Sequence, residues 1–405
     1  MTRAALLGGV WLGALAAVAT DGAHAQQGPF LYVPESSGAP PGVTVIDTST
    51  NTTVPPAIVV QSQPQTAAVR GDESMVYVTN FGGNSVSVIN TGTNAPVATI
   101  NVGANPFGVA VSPDGTRAYV ANNGNDNVSV INTATNTVVA TIAGFNGPFG
   151  VAFSPDGTRA YVTNDSSGTI SVINTATNTV VGAPITVGAS PVAVAFSPDS
   201  TRAYVTNFLG NSVSVINTAT NTVVTTITVG TNPQQVAVSP DGTRAYVTNA
   251  NSNNVSVINT ATNTVVATIN GFNSPAGVVV SPDGTRAYVT NFNGGNVSVI
   301  DTGTNTVLGT IPAGNNPDRL GICSNGNALL ASGLTFKANT SGGSPARSPR
   351  VLPARPARCS PAAPCRSLGP TSRARCRLPC RAKAAPSTPT ATTPRSRARS
   401  AGRGA

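Results

Sequence analysis

Apolar and polar residues alternate with period two in short runs along most of the chain, and the runs repeat. One stretch reads G-V-A-V-S, R-A-Y-V-A, N-V-S-V-I-N and V-V-A-T-I, at Gly108 to Ser112, Arg117 to Ala121, Asn127 to Asn132 and Val138 to Ile142. Alternation in runs rich in Val, Ile, Thr and Tyr predicts four half-buried strands, here A to D. Ser112-Pro113-Asp114-Gly115 separates A from B. Proline presets φ at the second position and glycine closes a type I turn. Thr133-Ala134-Thr135-Asn136 gives a polar tight connection between C and D.

The unit recurs. Its tyrosines are Tyr32, Tyr77, Tyr119, Tyr161, Tyr204, Tyr246 and Tyr288, with successive spacings of 45, 42, 42, 43, 42 and 42 residues. Four antiparallel strands at a period in the low forties make a propeller blade. A strands start near Thr66, Gly108, Gly150, Ala193, Gln235, Gly277 and Arg319. The first B strand (Phe30 to Pro34) has no A strand before it, and the last A strand (Arg319 to Cys323) has no C or D strand after it. The end of the chain is therefore expected to complete the first blade and close the ring, removing the open edges of a sheet. Ala328 to Ser332 is a spare B-like segment, which leaves eight blades as the alternative. The predicted fold is all-β, a seven-bladed β-propeller of four-stranded antiparallel blades with a disordered basic C-terminal tail.

Tyr77 to Asn80, Tyr161 to Asn164, Tyr204 to Asn207, Tyr246 to Asn249 and Tyr288 to Asn291 all spell Y-V-T-N, and Tyr119 to Asn122 differs by one residue. With the preceding S-P-D-G and the following V-S-V-I-N-T, Phe30 to Ser332 resembles the YVTN family of β-propeller repeat proteins. The resemblance implies a seven-bladed ring, often in exported or cell-surface bacterial and archaeal proteins. The family is functionally mixed, so no reaction follows from it.

Composition adds the compartment and removes some chemistry. A basic start at Arg3, an apolar stretch from Ala4 to Ala19 and Ala23-His24-Ala25 predict a signal peptide over residues 1–25. An exported protein, periplasmic or at the cell surface, is the expectation. The apolar run is short of the roughly 20 residues needed to span a bilayer, so no transmembrane segment is expected in the mature chain. The only histidine, His24, lies in that leader. Cleavage would remove triads, His general bases and His metal ligands together.

The net charge of +9 hides two segments: Met1 to Phe336 carries 8 Lys/Arg against 14 Asp/Glu (−6), and Lys337 to Ala405 carries 15 against none (+15). Nucleic-acid binding by the mildly acidic body is not expected. The tail, residues 337–405, also holds four of the five cysteines, while Cys323 lies within the repeats. Three readings compete for it: an anion-seeking tail, a linker, or an out-of-frame translation. The abrupt change of composition favours the third.

A repeated residue is scaffold until shown otherwise. Asp114/Arg117, Asp156/Arg159, Asp199/Arg202, Asp241/Arg244 and Asp283/Arg286 read as turn aspartates near an arginine, surface pairs worth about 0–1 kcal/mol each. The second blade departs from this, with Asp72 opposite Met75. Asn-x-Ser/Thr triplets such as Asn127-Val128-Ser129 recur at one strand position and also read as structural.

The D–A and B–C loops share one face, and there the sequence varies. Variable loops on a rigid scaffold are where binding usually resides. In propellers the A-strand starts line the channel mouth on that face. Phe107, Phe149, Gln234, Gln235, Asp318 and Arg319 are the candidate ligand-binding residues, with Arg319 facing an anionic group and the phenylalanines forming an apolar wall. The competing structural reading pairs Arg319 with Asp318 or a nearby turn. Asp126 and Asp165 could offer oxygens to Ca²⁺, but no D-x-D-x-D-G spacing supports them, and solvated loop acids are the plainer account.

No catalytic residue, metal or cofactor is assigned. The leading expectation is a monomeric binding scaffold for a protein, glycan or cell-surface partner at the loop face. The alternative is a propeller enzyme of lactonase or quinone-dependent dehydrogenase type. Against it stand the missing histidines and the expectation that a lactonase carries a carboxylate and metal cluster, where the mouth offers only Asp318. A structural cell-surface array is the third reading.

Overall fold

The computed structural model describes residues 29–324 and 327–329. The leader and the tail lie outside the described residues, as does the spare segment beyond 329. Seven antiparallel sheets form seven blades. Blade 3 is representative, with A Pro106–Val111, B Arg117–Asn122, C Asn127–Asn132 and D Thr137–Ala143. Strand A starts two residues earlier than its alternation suggests, because proline, which has no N–H to donate, is tolerated at the first position of a strand.

Blade 1 closes the ring as expected. Its B (Phe30–Glu35), C (Gly42–Asp47) and D (Thr52–Val59) come from the start of the chain, and its A (Gly321–Ser324) from the end. Among the described residues the spare segment builds no eighth blade. Asn327–Leu329 instead pairs with Gly321–Ser324 as a fifth strand beyond A. The 43-residue spacing between Tyr161 and Tyr204 is absorbed in blade 4, where D breaks into Thr179–Val180 and Ile185–Thr186.

The core runs through the seams between blades. Tyr119, Val128 and Val130 of blade 3 cluster with Val151, Phe153 and Val162 of blade 4, and the Tyr119 and Phe153 rings lie 4.6 Å apart.

The Y-V-T-N motif is explained residue by residue. The tyrosine hydroxyl crosses to the C–D turn of the next blade: Tyr77 donates to Asn136 at 3.1 Å and Tyr161 to Asn221 at 2.5 Å. Such a bond contributes about 1 kcal/mol net. The accepting asparagines have φ of 52° and 53°, so one residue type serves both the left-handed turn and the latch. The valine is core. The threonine joins channel strands, as when Thr79 donates to the Phe107 carbonyl of blade 3 at 2.7 Å. The buried asparagine binds its own C strand; Asn122 donates to Asn127 Oδ1 at 2.7 Å and to Ser129 at 2.8 Å. The Asn-x-Ser triplet is thus engaged within the blade.

The turn aspartates differ from expectation. Asp114 accepts from the Ser112 hydroxyl at 2.5 Å and the Thr116 N–H at 3.1 Å, while Arg117 donates to the Thr116 carbonyl at 3.2 Å. Among the described residues the ion pairs are Arg70–Asp72 at 2.7 Å and Arg286–Asp301 at 2.8 Å. The aspartate is a staple of its own turn, not a partner of the arginine three residues on. Burial raises the Asp114 pKa, but hydrogen bonds from Ser112 and Thr116 outweigh this and leave it lowered. Blade 2, which departs from the pattern in sequence, forms its pair through Arg70.

The outer D strands are bulged. Register shifts leave Val97, Val139, Val224, Val266 and Leu308 unpaired, and these are among the exposed large apolar residues. A bulge twists an edge away from another strand, which works against assembly of copies through these edges.

Candidate functional site at the channel mouth

The seven A strands run side by side and present their first residues at the loop face. Counted from the proline that leads each A segment (Pro64, Pro106, Pro148, Pro191, Pro233, Pro275 and, ahead of Gly321–Ser324, Pro317), the second residues are Gln65, Phe107, Phe149, Val192, Gln234, Ala276 and Asp318; the third are Thr66, Gly108, Gly150, Ala193, Gln235, Gly277 and Arg319. Small third residues let neighbouring A strands approach. A Cβ on Gly150 would sit 2.6 Å from the Val192 carbonyl oxygen, and one on Gly108 would sit 2.5 Å from that of Phe149. Thr66, Gln235 and Arg319 break that pattern.

Arg319 enters with the closing segment. Its N–H donates to the Gln65 carbonyl at 3.1 Å, and its carbonyl accepts from Ala67 N–H at 3.1 Å. Its side chain joins residues from three other blades. The guanidinium lies 4.8 Å from the centroid of the Phe107 ring and 5.0 Å from that of Phe149, and donates to Gln234 Oε1 at 3.2 Å. The two rings stack at 3.8 Å, and Phe81 meets Phe107 edge-on at 6.3 Å. A desolvated cation over an aromatic face gains about 2 kcal/mol.

The structure therefore brings together Phe107, Phe149, Gln234 and Arg319. Asp318 stands beside them, and the two charges interact without forming an ion pair. The expected Asp318–Arg319 pairing is replaced by the aromatic and amide contacts. Gln235 turns elsewhere, and its Oε1 accepts from the Val278 N–H at 3.2 Å.

Burial divides the set. Phe107, Phe149 and Gln234 are half-buried, whereas Arg319 is 4% and Asp318 8% exposed. Burial pushes Asp318 up to about 6, although the Arg319 charge and backbone N–H pull the other way. Burial also pulls Arg319 below its usual value, against the Asp318 charge. Arg319 Nε, Gln235 Nε2 and the Thr66 hydroxyl are buried with no hydrogen-bond partner. Such groups normally bond to protein, ordered water or ligand.

Two residues at this face escaped the sequence reading. Thr66 is one of the unpartnered groups. Glu35 ends Tyr32-Val33-Pro34-Glu35, the first unit's counterpart of Y-V-T-N, and the departure from asparagine was the available signal. Its Oε1 accepts from Thr44 at 2.5 Å and its Oε2 from the Asn315 N–H at 3.3 Å. Gly314 (φ 74°) must be glycine here, since a Cβ would collide with the Glu35 carboxylate.

Asp126 and Asp165 tie neighbouring loops together and are not simply solvated. Asp126 accepts from the Gly147 N–H at 2.7 Å, and Asp165 accepts from the Ser190 hydroxyl. Among the described residues no three His, Cys, Asp or Glu side chains gather as metal ligands. Two open grooves, of about 420 and 550 Å³, lie on the opposite face between neighbouring turns, one beside Arg70 and Asp114, the other beside Arg159 and Arg202. Their aspartates are already occupied by their own turns.

The fold is shared with several solved structures. A periplasmic gluconolactonase from Pseudomonas aeruginosa superposes with a TM-score of 0.63 at 19% identity, covering 73% of this chain and 99% of that one. A putative 6-phosphogluconolactonase from Bacteroides uniformis gives 0.65 at 17%, covering 74% and 100%. Hydrazine synthase from Kuenenia stuttgartiensis gives 0.59 at 23%, covering 67% and 97%. At these identities the likeness speaks to the fold alone. No curated protein sequence matches the chain. A family model described as lactonase, seven-bladed β-propeller, matches residues 23–266, more than half of the chain. The chain thus belongs to the lactonase family of seven-bladed β-propellers.

Proposed function

We propose that this protein is a lactone hydrolase, built on YVTN-type repeats, whose site is the channel mouth around Asp318 and Arg319. The carrying observation is the Arg319 guanidinium, held between the Phe107–Phe149 stack and Gln234 with a buried carboxylate alongside. In this reading Arg319 binds the lactone carbonyl oxygen and stabilises the negative charge that forms on it. Asp318, deprotonated, takes a proton from water as the water oxygen bonds to the carbonyl carbon. The ring C–O bond then breaks, and Asp318 returns the proton to the departing ring oxygen. Water and lactone yield one hydroxy acid, with no oxidant or second substrate. The guanidinium is covered in this conformation, so half-exposed Gln234 is the group a ligand meets first, and its rotation opens the way.

Among the described residues the acids do not gather as the cluster a metal would need, so no step is routed through one. A second reading, a loop face that binds a protein or glycan partner, draws on half-buried Phe81, Phe208 and Phe292 and on Leu209, which is 65% exposed. Hydrolysis of a sugar 1,5-lactone by the purified full chain, followed by proton release, separates the two. Rates clearly above the buffer reaction are expected. Rates equal to buffer at micromolar protein would overturn the enzymatic reading in favour of binding.

A further inference from the structure

Asparagine or aspartate precedes glycine at eight places among the described residues. At such a step the glycine nitrogen can attack the side-chain carbonyl, and glycine, lacking a Cβ, obstructs the approach least. The attack needs a glycine N–H that no hydrogen bond holds.

Seven of the eight are held. Gly115, Gly157, Gly242 and Gly284 each donate to the carbonyl of the turn serine three residues earlier, at 2.8 Å. Gly124 donates to the Ala104 carbonyl at 3.0 Å, Gly294 to that of Asn291 at 2.9 Å, and Gly147 to Asp126 Oδ1 at 2.7 Å. The eighth step is Asn270-Gly271. Asn270 ends strand D of blade 6 (Thr264–Asn270), opposite Asn254 of strand C. The next cross-strand bond skips a residue, because Phe272 and not Gly271 donates to the Asn253 carbonyl, at 3.4 Å. In blade 2 the corresponding bond follows at once, from Val102 after Asn101. Gly271 is thus an extra residue bulged from the edge strand, with φ of 100°, exposed and with its N–H unbonded. The Asn270 side chain is exposed too, but so are those of Asn146 and Asn293, so exposure alone does not single it out. Blade 3 carries a matching glycine after strand D, Gly144 with φ of 97°, but there Ala143 precedes it.

The geometry points to Asn270 as a modification site, the place where the folded chain deamidates. The Gly271 nitrogen bonds to Asn270 Cγ, the Cγ–Nδ2 bond breaks, and ammonia leaves behind a succinimide ring. Water then opens either carbonyl of the ring, giving aspartate or isoaspartate. One water enters and one ammonia leaves, with no other reactant. Both products add a negative charge to the rim. Isoaspartate also adds a methylene to the main chain two residues before Phe272, which is 7% exposed and packs in the cluster of Tyr246, Val255 and Val278. This chemistry is independent of the hydrolase reading.

The test holds the purified full chain in mildly alkaline buffer and follows amide loss at each asparagine by fragment mass spectrometry. Asn270 should convert at least about fivefold faster than Asn123, Asn146 or Asn293, where a hydrogen bond must first open. Ala143→Asn sets the same step ahead of Gly144 and should convert there at a rate like that of Asn270. In urea, where the bulge is lost, the four natural asparagines should convert alike. Conversion of Asn123, Asn146 or Asn293 in the folded chain as fast as Asn270 would overturn the inference. So would an unchanged ranking in urea, since the selection would then lie in the sequence and not in the fold. An inert position in Ala143→Asn would overturn the part assigned to the bulge.

Discussion

Replacing Arg319 with alanine is expected to lower lactone hydrolysis by about 10²–10³-fold, the usual consequence of removing one preorganised group from a developing oxyanion. The loss should fall on kcat more than on KM, because the contact strengthens as charge builds on the carbonyl oxygen. The same change removes a cation from two aromatic faces 4.8 and 5.0 Å away and strands Gln234 Oε1. It should therefore also cost about 2–4 kcal/mol of stability, read by urea unfolding. Gln234→Ala separates the two effects. Gln234 is half-buried, so its removal disturbs packing less while depriving the guanidinium of its amide acceptor. An Arg319→Ala protein that stays folded and hydrolyses lactone at the wild-type rate would contradict the assigned role.

Asp318→Asn carries the other large effect. It should reduce kcat/KM by about 10²–10⁴-fold, the range for a positioned general base. Wild-type kcat/KM should rise with pH through about 6 and level off above it, because the carboxylate must be ionised to accept a proton and burial has moved it there. The asparagine variant should lose that limb.

Stability runs in the opposite sense. The folded protein holds the Asp318 proton more tightly than the unfolded chain, whose aspartate titrates near 3.8. Stability therefore falls as pH rises from about 4 to about 6, by on the order of 1–3 kcal/mol. An asparagine at this position is uncharged throughout, so the variant should be flat across that window and more stable than wild type above it. A variant with wild-type activity and an unchanged pH profile would remove Asp318 from the chemistry.

The ring was legible in the sequence because the repeat states it seven times, with strand alternation, turn residues and spacing all in agreement. The mouth was legible in part, and for the converse reason. Phe107, Phe149, Gln234 and Arg319 stood out as departures from the repeat at the start of the A strands. That Arg319 reaches Phe107, Phe149 and Gln234 on three other blades depends on ring closure, which places residue 319 beside residue 66. Sequence separation hides such contacts. Gln235 looked equivalent to Gln234, yet its Oε1 is taken up by the Val278 N–H instead.

Preferring a binding scaffold follows from demanding histidines or a metal cluster of an enzyme. A lactone is an activated, strained ester, and one carboxylate with one fixed cation is a sufficient proposal for its hydrolysis. The turn aspartates mislead in a smaller way. Their spacing to arginine suggests a pair, but Ser112 and Thr116 lie closer along the chain and take up the carboxylate of Asp114 first.

The most direct measurement of the central claim is a crystal structure of the full chain with the aldonate product bound. The account predicts its carboxylate on the Arg319 guanidinium, its chain against Phe107 and Phe149, and Gln234 rotated from its present contact. An aldonate bound in the grooves of the turn face, with the mouth closed and unchanged, would contradict it.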